Sequence, residues 1–155
     1  MALSKGETSI GSHIEATTEL GTDELEATYA ALTGWTESDE QTQLGSHGAT
    51  TNVVTYTTIK NGVVNKRLAF TDFSQVALSF ANNPEDPLQA LLKAAAKSKD
   101  RISVRENLET DAGTVTSYFQ AYVSSAITEP GDGSNITMFT SNLEITSEIV
   151  EVLPV

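Results

Sequence analysis

Apolar and polar residues alternate along most of this chain, and the alternation predicts β-strands. Within residues 73–80, Val76, Leu78 and Phe80 recur at every second position, which is the period of a strand with one buried face. The same reasoning predicts further strands at residues 13–18, 32–36, 52–59, 63–70, 101–107, 114–126 and 135–146. The chain is therefore expected to be mainly β.

One segment, residues 82–101, has the pattern of an amphipathic helix. Asp86 suits the N-cap and Pro87 suits the first helical position. Four residues at helical spacing form an apolar stripe, and they are Leu88, Leu91, Leu92 and Ala95. We expect this stripe to be the core face of a helix that covers a sheet. Residues 23–29 fit either a short helical turn or a loop, and the pattern does not choose between them.

Turn and loop signals separate the strands. The pair Asn61-Gly62 lies between two strand patterns, and because such a pair tolerates positive φ angles it predicts a hairpin. Residues 37–52 contain almost no apolar side chain, so we expect a long loop or an irregular strand there. Loops of this length in compact domains are uncommon and are usually functional or disordered.

The length of 155 residues suits one domain, and the sequence shows no internal repeat. We therefore predict a single domain over residues 1–155. Its first ten residues, 1–10, are small and polar and are expected to form an arm. Residues 147–155 form a tail that is too apolar to be purely solvated.

The net charge of −12 is distributed in three blocks. Residues 1–59 hold nine acidic residues and one basic residue, and residues 60–105 hold eight basic and four acidic ones. Residues 106–155 hold eight acidic residues and no basic residue. A protein that grips duplex DNA needs exposed basic residues in excess, so this composition argues against that function. The acidity either serves solubility alone or pairs with basic regions of neighbouring copies.

No motif in the sequence names a reaction, so we expect that the chain is not an enzyme. It contains no cysteine, and His13 and His47 lack the spacing of a metal-binding pair. No phosphate-binding loop, nucleophile elbow or zinc-protease motif occurs, so we predict neither metal nor cofactor. No apolar run approaches the roughly 20 residues that span a bilayer, and the start lacks a signal-peptide core. We therefore expect a soluble protein without a membrane anchor.

The order hairpin, strand, capped helix, strand, strand resembles the major tail tube proteins of long-tailed, siphovirus-type bacteriophages. The resemblance covers about two-thirds of the chain and is strongest over residues 44–96. It depends on the strand motif TYT at 55–57, the step GVVNKR at 62–67 and the helix start DPLQALL at 86–92. The stretch AYVSSAITEPGDGSN at 121–135 and the sequence SNLEITSEI that follows soon after it are also similar to that family.

The resemblance implies a fold and a function. The fold is a β-sandwich or half-barrel with one α-helix on the outer side of the sheet, which closes into a ring-shaped barrel by homo-oligomerisation. The function is that of a structural virion protein, in which hexameric rings stack into a tail tube that conducts DNA into the host. The implied partners are other copies, tape measure and tail terminator proteins, and double-stranded DNA that passes without specific binding. Assembly in the host cytoplasm and residence in the virion tail follow from the same resemblance.

The implied tube assigns roles to the charged residues. A conduit for DNA should repel phosphates, so the carboxylates expected to face the lumen are Glu15, Glu106 and Glu144. Polar and basic residues would contact neighbouring subunits or rings, where ion pairs of about 0–1 kcal/mol each can set the register. The expected contact residues are Glu37, Asp39, Glu40, Thr42, His47, Lys60, Asn61, Lys66, Arg67, Arg101 and Arg105.

Two other readings of the sequence remain open. The first is the inner tube protein of a contractile or secretion machine, which shares the ring geometry but works with a sheath. The second is a β-sandwich adhesion module on a virion or cell. That module should present exposed aromatic platforms, yet Trp35 is the only tryptophan of the chain.

Overall fold

The computed structural model of the chain describes residues 10–23 and 25–154, so the predicted arm at 1–10 lies, except for Ile10, outside the described residues. The strands and helices are, in chain order, β1 His13–Thr17, α1 Glu26–Ala31, β2 Thr36–Glu37, β3 Gln41–Gln43, β4 Ala49–Thr57, β5 Val64–Phe73, β6 Gln75–Ala81, α2 Pro87–Ser98, β7 Arg101–Thr110, β8 Gly113–Glu129, β9 Met138–Ile145 and β10 Val150–Val152. No helix among these residues is long and apolar enough to cross a membrane.

Most of the strands belong to one antiparallel sheet that curls into a half-barrel. Its strand order is β2-β1-β7-β8-β9-β6-β3, and β10 pairs with β8 beside this path. Strand β8 is 17 residues long, and its carboxyl-terminal half pairs with β9 while its amino-terminal half pairs with β10. The two terminal strands of the order, β2 and β3, have only two and three residues. Both edges of the sheet are therefore short.

Helix α2 begins at an N-cap that its own sequence supplies. The carboxylate of Asp86 accepts a hydrogen bond from the backbone N–H of Leu88 at 3.1 Å, which satisfies one of the free donors of the first turn. The same carboxylate accepts hydrogen bonds from the hydroxyl of Ser38 and from the side-chain amide of Gln89. Asp86 is almost fully buried, so it ties the helix to the segment between β2 and β3.

The apolar stripe of α2 closes the core against one face of the sheet. Leu88, Leu92 and Ala95 are buried, and Leu91 is partly buried against the same cluster. The residues opposite them come from alternate positions of five strands, among them Ile14, Val76, Phe80, Phe119 and Leu143. The alternation that predicted β6 is confirmed, because Val76, Leu78 and Phe80 are all at most 1% exposed. Burial of side chains of this size contributes about 1.5–3 kcal/mol each.

The opposite face of the sheet is covered at one end by the short helix α1. The ring of Tyr29 on α1 is buried and stacks on Tyr118 of β8, with 5.2 Å between the ring centroids. Trp35 lies tilted against Tyr118 from the loop that follows α1. The prediction of a mainly β half-barrel with a covering helix is confirmed, and the segment that fitted either a turn or a loop contributes this second helix.

Two predicted segments differ from the structure. Of the long loop and the irregular strand expected over residues 37–52, the loop is wrong, because Glu37 pairs with β1, Gln41–Gln43 pairs with β6 through a register shift and Ala49 begins β4. Backbone pairing at a sheet edge needs no apolar side chain, so the polar sequence concealed these strands. The strand expected at 32–36 is likewise wrong, since pairing begins only at Thr36. The apolar tail forms β10, whose Val150 and Val152 are half-buried.

Candidate assembly surface

Strands β4 and β5 form a hairpin, called the arm below, that pairs with no other strand of the described residues. Except for Phe73 at its base, its large apolar side chains are exposed to water rather than packed against the sheet. The exposed fractions reach 75% for Leu68 and 82% for Phe70. The other exposed apolar side chains of the arm and its tip are Val53, Val54, Tyr56, Ile59, Val63 and Val64. A contiguous apolar surface of this kind marks an interaction site.

The arm is apolar on both of its faces. Val53 pairs with Leu68 across the two strands, so these side chains share one face. Val54 pairs with Arg67 on the other face, where the guanidinium of Arg67 lies 6.0 Å from the ring centre of Tyr56. An ordinary half-buried strand has one polar face and one apolar face. A hairpin with two apolar faces is suited to lie between two other surfaces.

The predicted hairpin is confirmed, although its tip is longer than a two-residue turn. Strand β4 ends at Thr57 and β5 begins at Val64. Between them, Gly62 takes a φ of +64° and donates its backbone N–H to the carbonyl of Thr58 at 2.9 Å. The side chain of Asn61 accepts a hydrogen bond from the hydroxyl of Thr58. The tip is thereby held in a defined turn.

The loop between β3 and β4 joins the arm to the sheet. Gly45 has a φ of +75°, and a side chain there would clash with the backbone of Ala77 on β6. Gly48 accepts a hydrogen bond from the backbone N–H of Ser74 at 2.9 Å, which closes the base of the arm. His47 lies between these two glycines and stacks on the core ring of Phe119. The position of the arm is therefore fixed by close backbone contacts rather than by a flexible linker.

A buried carboxylate lies beneath the base of the arm. Glu106 on β7 is 4% exposed, and its Oε2 lies 3.5 Å from Nδ1 of His47. Burial raises the pKa of Glu106, and the nearby charge of His47 offsets this only in part. Glu106, which was expected to face a lumen, lies on the interior face of β7 in this chain. The period of the strand could have shown it, because Glu106 shares a face with Ile102 and Val104.

Glu15 and Arg105 form an ion pair within the chain. Arg105 donates from Nε to Glu15, and Nδ2 of Asn107 donates to the same carboxylate at 3.0 Å. Burial raises the pKa of Glu15, but the hydrogen bonds from Arg105 and Asn107 and the charge of Arg105 lower it more, so the net shift is downward. The guanidinium of Arg105 also lies 4.5 Å from the ring centre of Trp35. Arg105, which was expected to contact another subunit, is thus partnered inside its own chain.

The remaining predicted residues lie in the arm, at an acidic cavity beside α2, on the edge strand β3, at the start of β7 and on β9. Lys60, Asn61, Lys66 and Arg67 belong to the arm, where Lys60, Lys66 and Arg67 carry its positive charge. Glu37, Asp39 and Glu40 line a cavity of about 290 Å³ beside the start of α2, and Thr42 is exposed on the edge strand β3. Arg101 is exposed at the start of β7, and Glu144 is exposed on β9 and accepts a hydrogen bond from Gln75 at 2.7 Å.

Among the described residues, one group has ligand atoms close enough to hold a metal ion. It consists of His13, Glu15 and Glu37, whose ligand atoms all lie within 4.8 Å of one another. Two of the three side chains, those of His13 and Glu15, have other partners within the chain. The amide of Asn107 lies 3.2 Å from Nε2 of His13 and donates to Glu15, and the guanidinium of Arg105 adds a positive charge beside them. These contacts describe an internal polar network rather than a metal centre.

Comparison with known proteins identifies the fold. No protein-family model matches the chain, and no curated protein matches it in sequence. Solved structures are similar, however. A chain from the anti-feeding prophage baseplate has a TM-score of 0.71 at 11% identity, with 98% of this chain and 97% of that chain covered.

Two more of these structures bear on the same fold. A chain from the sheath/tube terminator structure of an extracellular contractile injection system has a TM-score of 0.63 at 14% identity, with coverage of 98% and 100%. The tail tube of SPP1 has a TM-score of 0.60 at 10% identity, with 90% of this chain and 75% of that chain covered. At such low identity the likeness shows the fold alone, and that fold is the one of tail tube proteins.

Proposed function

We propose that this chain is the structural subunit of a hollow tail tube, in which copies join edge to edge into hexameric rings and the rings stack. The observation that carries the proposal is the arm, whose apolar side chains are exposed on both faces while the rest of the chain has a closed core. The tail tube fold supports the same assignment. In this proposal the arm lies between neighbouring copies, and no catalytic chemistry is involved.

The short edges of the sheet are suited to ring formation. Strands β2 and β3 cover only part of β1 and β6, so backbone groups remain available along both sides of the half-barrel. Joining these sides between copies would close the sheet into a barrel and remove its edges. The proposed tube conducts double-stranded DNA in the tail of a virion, is assembled in the host cytoplasm, and meets tape measure and terminator proteins at its ends. The exposed Glu144 is our remaining candidate for a lumen carboxylate.

A second candidate is the tube of a contractile machine. It is favoured by the high coverage and TM-scores of the chains from the anti-feeding prophage baseplate and from the sheath/tube terminator structure. Cryo-electron microscopy of intact particles from the producing cell separates the two candidates. A bare tube supports the siphovirus-type tail, whereas a second protein layer around the tube supports the contractile machine.

Substitution of Leu68 by Asp tests the proposal. Because Leu68 is 75% exposed, Leu68→Asp should change the free energy of unfolding by no more than about 0.5 kcal/mol. The parent protein at high concentration should form rings or tubes in negative-stain images, and the variant should remain unassembled because a charge would be buried between copies.

Ile136→Asp is the matched control, since Ile136 is 65% exposed in the loop before β9 and outside the arm. This control should assemble as the parent does. Assembly of the Leu68→Asp variant at the parental concentration would show that the arm takes no part in the contact. A parent chain that stays monomeric at every concentration would exclude the tube itself.

A further inference from the structure

The tip of the arm presents an apolar side chain next to a positive charge. Ile59 is completely exposed, at 103% of its reference area, and Lys60 follows it in the same turn. The hydrogen bonds of Thr58 with Asn61 and Gly62 hold this turn in place. A surface that receives the tip therefore needs an apolar wall for Ile59 and a carboxylate near its rim for Lys60.

A cavity at the base of the arm has both of these properties. Its volume is about 340 Å³, and it lies where β4 leaves the sheet and where the chain turns into β10. Phe73 and Ile149 contribute apolar walls, and both pack against the hydrophobic core. His47, Ala49 and two exposed carboxylates, Glu148 and Glu151, lie at the same cavity. The cavity therefore combines an apolar wall, which packs on the core, with carboxylates beside it.

Three other cavities fit the tip less well. A cavity of about 480 Å³ beside α2 is bordered by Lys99, Asp100 and Arg101, and one of about 570 Å³ on the other side of α2 is bordered by Lys93 and Lys97. Basic residues outnumber acidic ones at both cavities, which disfavours the binding of Lys60 there. The acidic cavity at the start of α2 is lined by carboxylates together with Asn83 and Pro87, and it offers no large apolar wall for Ile59. Complementarity therefore favours the base cavity.

The tip that fills the base cavity cannot come from the same chain. The two strands of the arm have nine and ten residues, and paired strands rise about 3.3 Å per residue, so the tip lies about 30 Å from its own base. A second copy displaced by about one arm length brings its tip to this cavity. The contact joins two different patches, tip and base, so it is heterologous and propagates from copy to copy into a ring or a filament.

We propose that Ile59 and Lys60 at the arm tip of one copy insert into the base cavity of another copy. Ile59 packs against Phe73 and Ile149, and Lys60 faces Glu151. This inference rests on the proposed self-assembly and adds to it the acceptor of the arm. The close backbone contacts at the base of the arm suit this contact, because a fixed base holds the tip and the cavity at a constant distance from each other.

Cross-linking of engineered cysteines tests this contact directly, since the natural chain contains no cysteine. Lys60→Cys in one preparation and Glu151→Cys in another, the latter carrying a size tag, are mixed under assembly conditions and oxidised. We expect a heterodimer of tip and base chains on a non-reducing gel, because a disulfide forms only when the two Cα atoms approach within about 7 Å. Glu85→Cys, an exposed position beside the acidic cavity, replaces Glu151→Cys in the matched control and should yield at least tenfold less heterodimer.

The outcomes separate this inference from the proposed function. Both positions are exposed, so the variants should melt as the parent does. Each variant lacks one charge of the proposed pair, so the mixtures should need a higher concentration than the parent to assemble, and electron microscopy at that concentration should show particles. Assembled particles that yield no 60–151 heterodimer would show that the base cavity is not the acceptor, and so would particles that yield as much 60–85 heterodimer. Either result would leave the proposed tube function standing. A parent chain that never assembles would overturn both proposals.

Discussion

The body of the molecule, which is the eight-stranded sheet with its two helices, and the arm contain the same kinds of apolar residue. These residues are buried in the body and exposed in the arm. In the body, Leu88 and Leu92 are at most 1% exposed because α2 lies over the curled sheet. In the arm, Leu68 and Phe70 are more than 70% exposed because no segment of the described chain covers either face. Apolar alternation therefore indicates that a face will be buried, but it does not tell whether the cover belongs to the same chain. In the arm, a second copy is the cover that we propose.

The largest expected effect on the free energy of unfolding comes from a charged side chain placed in the core of the body. Leu92→Asp places a carboxylate in a fully buried site without a hydrogen-bond donor, and the loss of packing adds to the cost. We expect a loss of at least about 4 kcal/mol in the free energy of unfolding, so the monomer should fail to fold before assembly is affected. Urea titration followed by circular dichroism measures this loss.

The corresponding change in the arm, Leu68→Asp, is the control for that experiment because it replaces the same residue type at an exposed site. A Leu92→Asp variant that melts with the parent would show that α2 does not close the core. Unfolding of both variants would remove the distinction between body and arm.

A smaller effect is expected at the cap that fixes α2 on the body. Asp86→Ala removes the acceptor of the Leu88 backbone N–H, and it also leaves the buried side chains of Ser38 and Gln89 with one partner fewer. Loss of such a cap costs about 1–2 kcal/mol, and the orphaned partners should place this variant at the upper end. Thermal unfolding measures the shift. Asp86→Asn keeps an acceptor and should recover most of the stability, whereas equal losses for both variants would argue against the cap.

The smallest effect should appear at the boundary between body and arm, where Glu106 lies under His47. Burial raises the pKa of Glu106 in the folded chain, so the unfolded chain releases this proton at a lower pH. Between the pKa of Glu106 in the unfolded chain and its higher pKa in the folded chain, the unfolded state binds fewer protons than the folded state. The free energy of unfolding therefore falls as the pH rises through this window.

Glu106→Gln should therefore flatten this part of the stability profile and leave the variant at least as stable as the parent above that window. Chemical unfolding at a series of pH values measures the difference. Glu129→Gln is a control for the loss of one acidic group at an exposed site. A parent whose stability rises through the same window would show that Glu106 is not held in the protonated form by burial.

The sequence predicts what one chain buries by itself. The stripe of Leu88 and Leu92 and the alternation around Val76 follow directly from periodicity, because each of these positions has a cover within the chain. Periodicity could not locate β3 or the first residues of β4 within the polar segment 37–52, since edge pairing depends on backbone groups that carry no side-chain pattern. The short helix α1 has no side-chain cap and little length, so propensity alone could not select it.

The candidate site is less predictable than the fold. The hairpin and its basic residues can be recognised, but only the structure shows that both faces of the arm are exposed. The pairing of Arg105 with Glu15 joins residues 90 positions apart, and no local pattern reports such a contact. The burial of Glu106 could have been inferred from the period of β7, because a carboxylate that alternates with Ile102 and Val104 points into the same interior.

The basic residues of the arm, Lys60, Lys66 and Arg67, also affect how newly made chains behave before they assemble. Lys66 lies on the face of Leu68 and Arg67 on the opposite face, so two arms that stacked through like faces would bring like charges together, and this repulsion disfavours such pairing. We expect the basic residues of the arm to protect newly made chains against amyloid-like stacking. Neutralising them should make the protein precipitate in vivo even where its folding is untouched.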